Sequence, residues 1–298
     1  MHIKYKTWKS RIFDAVLILV FTLFSASVLY PFVCELLRSF SGESHILAHG
    51  YSLTLGNFTT RNWQIILNST SLWRSFFNTV AVTAGYTAYS LFLSVTFAYP
   101  LSRRDLPHRN VFTVIMVFTM FFSGGLVPTY VLMYNLKLVN NMLVLVIGAM
   151  NAWNTIIIRN FFMAVPASIQ ESARIDGASE VTILGKIMLP LSLPVLATVT
   201  LWNMVNRWNA WVDAMIYIRT PAKQVLQIVL RQLIFQNQSF ASADEFFQQM
   251  ALQGDRVQMT SEGLKSTTLL FVIAPIILTY PFLQRYFIKG IFVGSLKG

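Results

Sequence analysis

A chain of 298 residues that is 55% hydrophobic and only 12% charged cannot clothe a water-soluble globule, whose residues are ordinarily about one-quarter charged. Its formal charge of +11 falls in short clusters between apolar runs, which excludes a continuous basic face for nucleic acid and has the form of a membrane-topology signal. Cys34 stands alone, and His2, His45, His49 and His108 form no set, so an intrachain disulfide and a cysteine- or histidine-built metal site are excluded too.

Taken in chain order, the apolar runs predict an all-α polytopic membrane protein of about six transmembrane helices, a single domain over residues 1–298. Each span needs roughly 20 mostly apolar residues. The first run, Ala15–Cys34, follows a basic start, but it is too long for a signal core and lacks a clear cleavage site, so it reads as a retained span. The second is Phe76–Tyr99. The third, Val111–Tyr134, is interrupted by Ser123, Gly124, Gly125 and Pro128. Such a sequence either ends a helix near the outer surface or kinks it beside a water-filled path, because broken backbone at membrane depth is tolerated only against protein or water. The fourth is Met142–Ile158, the fifth Leu189–Ile218, long enough to tilt or to include a broken end, and the sixth Thr267–Phe287. Five or seven spans also fit if one run is re-entrant.

The polar stretches between the runs set orientation. With six spans, both termini share a side with the loops near residues 102–110 and 159–189, and that side carries thirteen cations against five acids. The remainder carries ten against seven. The excess places both termini in the cytoplasm and the long loops 35–75 and 219–266 outside. A helix is expected near Asp244–Leu252, within the outer polar stretch.

The cytoplasmic segment Pro166–Glu180 is the most informative. Ser168 and Glu171 have capping-box spacing, so a short helix should begin there. Ile169 and Ala173 share one face. Ala173 and Gly177 are small and four apart, which admits the close approach of another chain; Gly177 equally suits a helix C-cap. Val181, Leu184 and Met188 are spaced like the apolar face of a second helix, and Pro190 begins the fifth span. A helix of this kind docks into a protein groove or rests on lipid headgroups.

Within the fifth span, Arg207 and Asp213 are charges in a costly place, so each should face protein or a cavity. Six residues apart on a continuous helix, they point to different faces and need separate partners. Asn203, Asn206 and Asn209 recur every three residues and, with Arg207, form a candidate polar stripe, with Trp208 beside it and Tyr130 near the broken third span. Hydroxyl-rich ligands need such hydrogen-bond partners, the apolar faces of sugar rings stack on aromatic side chains, and an arginine suits a carboxylate. The same residues also serve as interhelical links and interface anchors.

The segment Glu171-Ser172-Ala173, Asp176-Gly177-Ala178 and Leu189-Pro190 resembles the signature loop of the membrane subunits of ATP-binding-cassette importers, with Ser172 standing where that loop has its middle alanine. Phe122–Tyr130, Arg159–Phe162, Trp208-Asn209, Pro221–Leu230 and the ending Gly290–Gly298 resemble the carbohydrate and oligosaccharide branch, the polysaccharide-type binding-protein-dependent permeases. The resemblance implies a type I importer transmembrane domain in the cell (inner) membrane. It implies a path shared with a second permease, two ATPase subunits beneath, and an extracytoplasmic solute-binding protein that delivers the oligosaccharide. It assigns Ser168, Glu171, Ser172, Ala173, Asp176, Gly177 and Ala178 to the helix that seats in the ATPase.

The chain lacks a phosphate-binding Gly-x-x-x-x-Gly-Lys-Ser/Thr loop, since Gly185-Lys186 is followed by Ile187. A non-catalytic permease is therefore expected, with ATP and magnesium held by the partner subunits and no cofactor or metal on this chain. Arg207 further suggests an acidic sugar, such as a uronic acid oligosaccharide. The alternative is a secondary transporter driven by an ion gradient, which would need inverted repeats or paired ionisable groups at the midplane. Asp213 is the one acid firmly within a span.

Overall fold

The computed structural model describes residues 8–148, 150–235 and 262–295, which are almost entirely helical. The helices are α1 (Trp8–Ser39), α2 (Glu43–His49), α3 (Arg61–Asn68), α4 (Thr70–Ser102), α5 (Arg109–Phe121), α6 (Leu126–Asn135), α7 (Leu143–Val146), α8 (Ala152–Ala164), α9 (Ala167–Ile175), α10 (Glu180–Leu191, with a π-turn at Leu184–Met188), α11 (Leu193–Asn209), α12 (Val212–Tyr217), α13 (Leu226–Phe235) and α14 (Glu262–Ser295). The helix expected near Asp244–Leu252 lies outside the described residues.

Among the described residues, three stretches are long and apolar enough to cross a bilayer: Ser10–Ser39, Thr70–Ser102 and Glu262–Thr279. They correspond to the first, second and sixth expected spans. The third is broken where Gly125 takes a φ of 81°, a conformation open to glycine but costly for other residues, and α5 and α6 meet at 108°. The fifth starts later than expected. Pro190 ends up inside α10, and the chain turns by 81° at Ser192 before α11, which carries Pro194 in its first turn. Counting each bent pair as one span gives five. The fourth expected span is not one helix. Ile147 and Asn151 are extended, so α7 stops after four residues, and the Asn151 side chain accepts a hydrogen bond from the Asn154 amide at 3.1 Å to start α8.

The described residues form two compact units. One runs to Thr70 and includes Gln232–Ile273. Here the end of α1, the start of α14 and the stretch after α2 meet at Arg38, which is 6% exposed. Its guanidinium bonds Glu262 at 2.8 Å, lies 3.6 Å from Glu35, and stands over the Tyr51 ring at 4.3 Å. Phe40 stacks on both Phe58 and Trp63, and the Trp63 indole donates to the Ser39 hydroxyl. Ser39, Thr267 and Thr268 are buried and satisfy their hydroxyls on carbonyls of their own helices, as apolar surroundings demand.

The other unit comprises Ser71–Arg231 and residues from Ala274 onward. Its inner core joins Ala98 and Tyr99 of α4, Ile158 and Phe162 of α8, Ile183 and Met188 of α10, and Val195, Leu196 and Val199 of α11. A second core joins Val82 of α4, Val144 and Leu145 of α7, Ala214, Tyr217 and Ile218 of α12, and Val225 and Ile228. Gly85 admits α7: a Cβ there would stand 3.3 Å from the Val146 methyls.

Replacing Arg38 by leucine leaves Glu262 and Glu35 without their shared cation. Glu262 stays 39% exposed, so the expected loss is about 2 kcal/mol rather than the ~3–5 kcal/mol of a fully buried pair. Thermal unfolding of the purified protein in detergent reads it, with Lys265→Ala, which removes an ordinary i,i+3 pair, costing only a few tenths of that.

Candidate functional site: a clamped loop helix and a broken polar span

The loop helix forms where the sequence placed it, but its ends are made differently. α9 begins at Ala167 with Pro166 at the N-cap and no side-chain cap. Ser168 therefore sits inside the first turn, and the capping box expected from Ser168 and Glu171 does not form. Pro166 fixes its own φ and its ring accommodates the chain's entry into the helix without a donor. The C-terminus is a complete Schellman motif. Gly177 has a φ of 80°, its amide bonds the Arg174 carbonyl at 3.0 Å, and the Ala178 amide bonds the Ala173 carbonyl at 2.9 Å. Of the two roles open to Gly177, the structure shows the C-cap. Ser179 then caps α10 by accepting from the Thr182 amide at 3.3 Å.

One side of α9 packs inward. Gln170 is buried, and Ala173 and Ala178 rest on the inner core. Ala173 thus packs on its own chain rather than offering a bare backbone to another. Ser168, Glu171, Ser172, Asp176 and Gly177 are exposed, as are Ile169 at 40% and Ile175 at 87%. Val181 does not join the apolar face expected of it. The π-turn rotates the register so that Ile183 and Met188 are buried while Val181 is 81% exposed.

The group holding this loop is Glu180, which no sequence motif marks. Its carboxylate accepts from the Tyr99 hydroxyl at 2.5 Å, from Arg174 Nε at 2.8 Å and from Arg103 at 3.1 Å. Arg103 also donates to the Gln170 side chain. One carboxylate therefore ties the end of α4 to both α9 and α10. No local pattern announces it, because Tyr99 and Arg103 lie some 80 residues earlier. The Tyr99 hydrogen bond, with Arg174, holds the Glu180 carboxyl below its usual range against a burial that pushes it up.

The candidate path residues divide into two groups. Asn203 and Arg207, one turn apart on α11, are buried; Asn206 and Asn209 are exposed. Asn203 accepts from the Asn154 amide at 2.8 Å, and Asn209 donates back to the Val205 carbonyl. Trp208 is buried edge-on against Phe76. Tyr130 stacks on Tyr217 at 5.8 Å and accepts from Arg219 at 3.0 Å. Arg207 and Asp213 do not point apart. Ala210 is extended, so the chain leaves the helix between them and folds Asp213 back onto Arg207 at 2.8 Å. A continuous helix would have kept them apart, and the break removes that constraint. Asn140, also unforeseen, pins the segment after α12: its side-chain oxygen accepts from the amides of Arg219 and Thr220, and its carbonyl from Lys223.

Among the described residues, a helical fold with apolar stretches long enough to cross a bilayer and a short, clamped loop helix has the form of a membrane permease. The chain belongs to the family described as binding-protein-dependent transport system inner membrane component, which matches residues 90–293. It is 35% identical to the polygalacturonan/rhamnogalacturonan transport system permease protein YtcP of Bacillus subtilis, over 97% of this chain and all of that one. It is 34% identical to protein LplC of the same organism, over 100% of this chain and 99% of that one. A crystal structure of a bacterial ABC transporter involved in import of the acidic polysaccharide alginate contains a chain with a TM-score of 0.84 and 31% identity, covering 95% of this chain and 99% of that one.

Replacing Glu180 by glutamine keeps an acceptor for Tyr99 but removes the charge facing Arg103 and Arg174. Amide exchange across residues 167–178 should then rise about tenfold, the scale of one charge-assisted bond. The same clamp has a pH limit. A carboxyl with a depressed folded-state value contributes stability above its ordinary range and loses it as pH falls through the depressed value. A spin label at Ser172→Cys should therefore stay ordered through the usual carboxyl range and loosen only below it, whereas in Glu180→Gln it is loose throughout.

Proposed function

We propose that this chain is the non-catalytic permease subunit of an ATP-driven importer for oligosaccharides, of the acidic kind carried by its relatives, and that α9 is the element receiving work from partner ATPases. The observation that carries this is the two-sidedness of α9. Its inner side is fastened to α4 by Glu180, while Ile169, Ser172 and Ile175 on the outer side stand uncovered. An exposed apolar edge on a helix that is itself anchored can be pushed without detaching.

The reading extends to the assembly. A second, similar permease completes the path, two ATP-binding-cassette subunits hold ATP and magnesium, and an extracytoplasmic solute-binding protein delivers the sugar. Ser168, Glu171, Ser172, Asp176 and Gly177 face the ATPase groove, while Ala173 and Ala178 keep α9 on its own core. Asn206, Asn209 and Tyr130 lie toward the path, with Asn203 and Trp208 behind them and Arg207 reaching it only through the half-exposed Asp213. The protein is multi-pass in the cytoplasmic membrane with both termini inside, as the charge asymmetry of its loops supports. The acidic preference is supported by the substrates of two relatives, polygalacturonan and alginate. The gradient-driven alternative is less favoured, because Asp213, the acid it would need, is engaged with Arg207.

The test is co-purification with the products of neighbouring genes, followed by ATP hydrolysis in the reconstituted complex. Gly177→Trp places a large ring where no heavy atom lies within 4 Å of the point a Cβ would occupy, at a left-handed backbone cost of about 1–2 kcal/mol. It should insert normally yet abolish stimulation of the ATPase. Gly177→Asn, which tolerates that conformation, should retain it. Full stimulation by Gly177→Trp, or transport without any ATPase, sinks the reading.

A further inference from the structure

We propose that Arg207 is a seat for the carboxylate of an anionic sugar unit, and that Asp213 fills the seat until a substrate displaces it. This rests on the oligosaccharide reading and adds which group of the substrate is recognised, by what, and against which competitor.

The ion pair is lopsided. The Arg207 side chain is 7% exposed and the Asp213 side chain 50%, so the cation is fixed in the protein while the anion is open to replacement. The pair is also incomplete. Asp213 engages one nitrogen, Nη1, at 2.8 Å, and the buried Nε has no hydrogen-bond partner among the described residues. A guanidinium presents its donors as a fork that matches the two oxygens of a carboxylate, and a paired contact is stronger than a single one. Nε is itself shielded by the protein, so a uronate meets the guanidinium from the side that Asp213 occupies, where the pair is open.

The surroundings favour a flat, anionic, hydroxyl-bearing guest. The guanidinium carbon stands 5.5 Å from the Tyr86 ring centre, a cation–π contact that steadies the cation. One turn earlier on the same face, Asn203 gives its oxygen to Asn154, and its buried amide nitrogen has no partner among the described residues.

Asp213 is mounted to move. It sits on α12, six residues long and separated from α11 by the break at Ala210 and Trp211. Its carboxylate can leave Arg207 without unwinding the helix that carries the cation. While it stays, it excludes neutral sugars, because a hydroxyl is a poor rival to a carboxylate for a guanidinium. The pair thus acts as a charge filter: an anion can exchange for an anion, and a neutral unit cannot.

The experiment uses the reconstituted complex with its binding protein and two probes of equal length, oligogalacturonate and its fully methyl-esterified form. The binding protein is common to every variant, so a change in the ratio of the two uptake rates belongs to this chain. Arg207→Gln should lower the acid-to-ester ratio by at least about tenfold, the loss of a charge-assisted contact in one probe alone. Asp213→Asn, at a half-exposed position, should raise the ester's uptake relative to the acid's and leave the complex assembled. If both probes are carried and neither ratio changes, the carboxylate seat is wrong and the oligosaccharide reading stands. If an ATP-hydrolysing complex carries neither probe, both fall.

Discussion

One carboxylate ties together three elements at one end of the larger unit. Glu180 accepts from Tyr99, Arg103 and Arg174, and these lie on α4, just beyond it, and on α9. Without that contact α9 would rest on the core only through Gln170, Ala173 and Ala178, two of them small and only half-buried. Two alanines bury too little apolar area to hold a helix against a mechanical load; at about 25 cal/mol per Å² their contribution is a fraction of a multiply bonded carboxylate's. The charge cluster thus lets a small helix be both exposed and firmly attached, and it directs any displacement of α9 into α4 as well as along the chain into α10 and α11.

The geometry that follows depends on helix breaks as much as on helices. A backbone leaving a helix within an apolar environment must satisfy its freed amides and carbonyls locally. The chain does so with Asn151 at the start of α8 and with the Asn140 side chain that gathers the Arg219 and Thr220 amides. These polar residues lie in or beside apolar runs and are easily taken for ligand-facing groups. Their partners identify them as repairs to the backbone.

The same distinction explains what could be read in the sequence. Apolar runs of about 20 residues predicted α1, α4 and the start of α14, and the Ser123–Pro128 interruption predicted the break between α5 and α6. Hydropathy averages over a window and is blind to a single capped turn, so Met142–Ile158 read as one span although Asn151 divides it. In the loop, the Gly177 C-cap was legible because positive φ favours glycine at a fixed place. The N-terminus was not, because Ser168 has the right spacing for a box but Pro166, two residues earlier, already starts the helix. Glu180 was invisible for a different reason: its partners Tyr99 and Arg103 are local in space and distant in sequence.

Arg207 and Asp213 mark where a periodicity argument fails in an informative way. On an unbroken helix six residues amount to about 600°, and the two charges could not meet. They meet because Ala210 is extended, and the cost of that break is met by bringing a buried cation to an anion. Such a pair is weak evidence for stability, since desolvating both charges offsets much of their attraction. Its lopsided burial limits the cost to the arginine side, because Asp213 retains half of its exposure to the surroundings. A pair that contributes little to stability but is expensive to leave half-empty exchanges readily for another anion and resists a neutral occupant. That balance of energies, rather than the presence of an arginine alone, is the physical basis of the charge-sorting role proposed for this position.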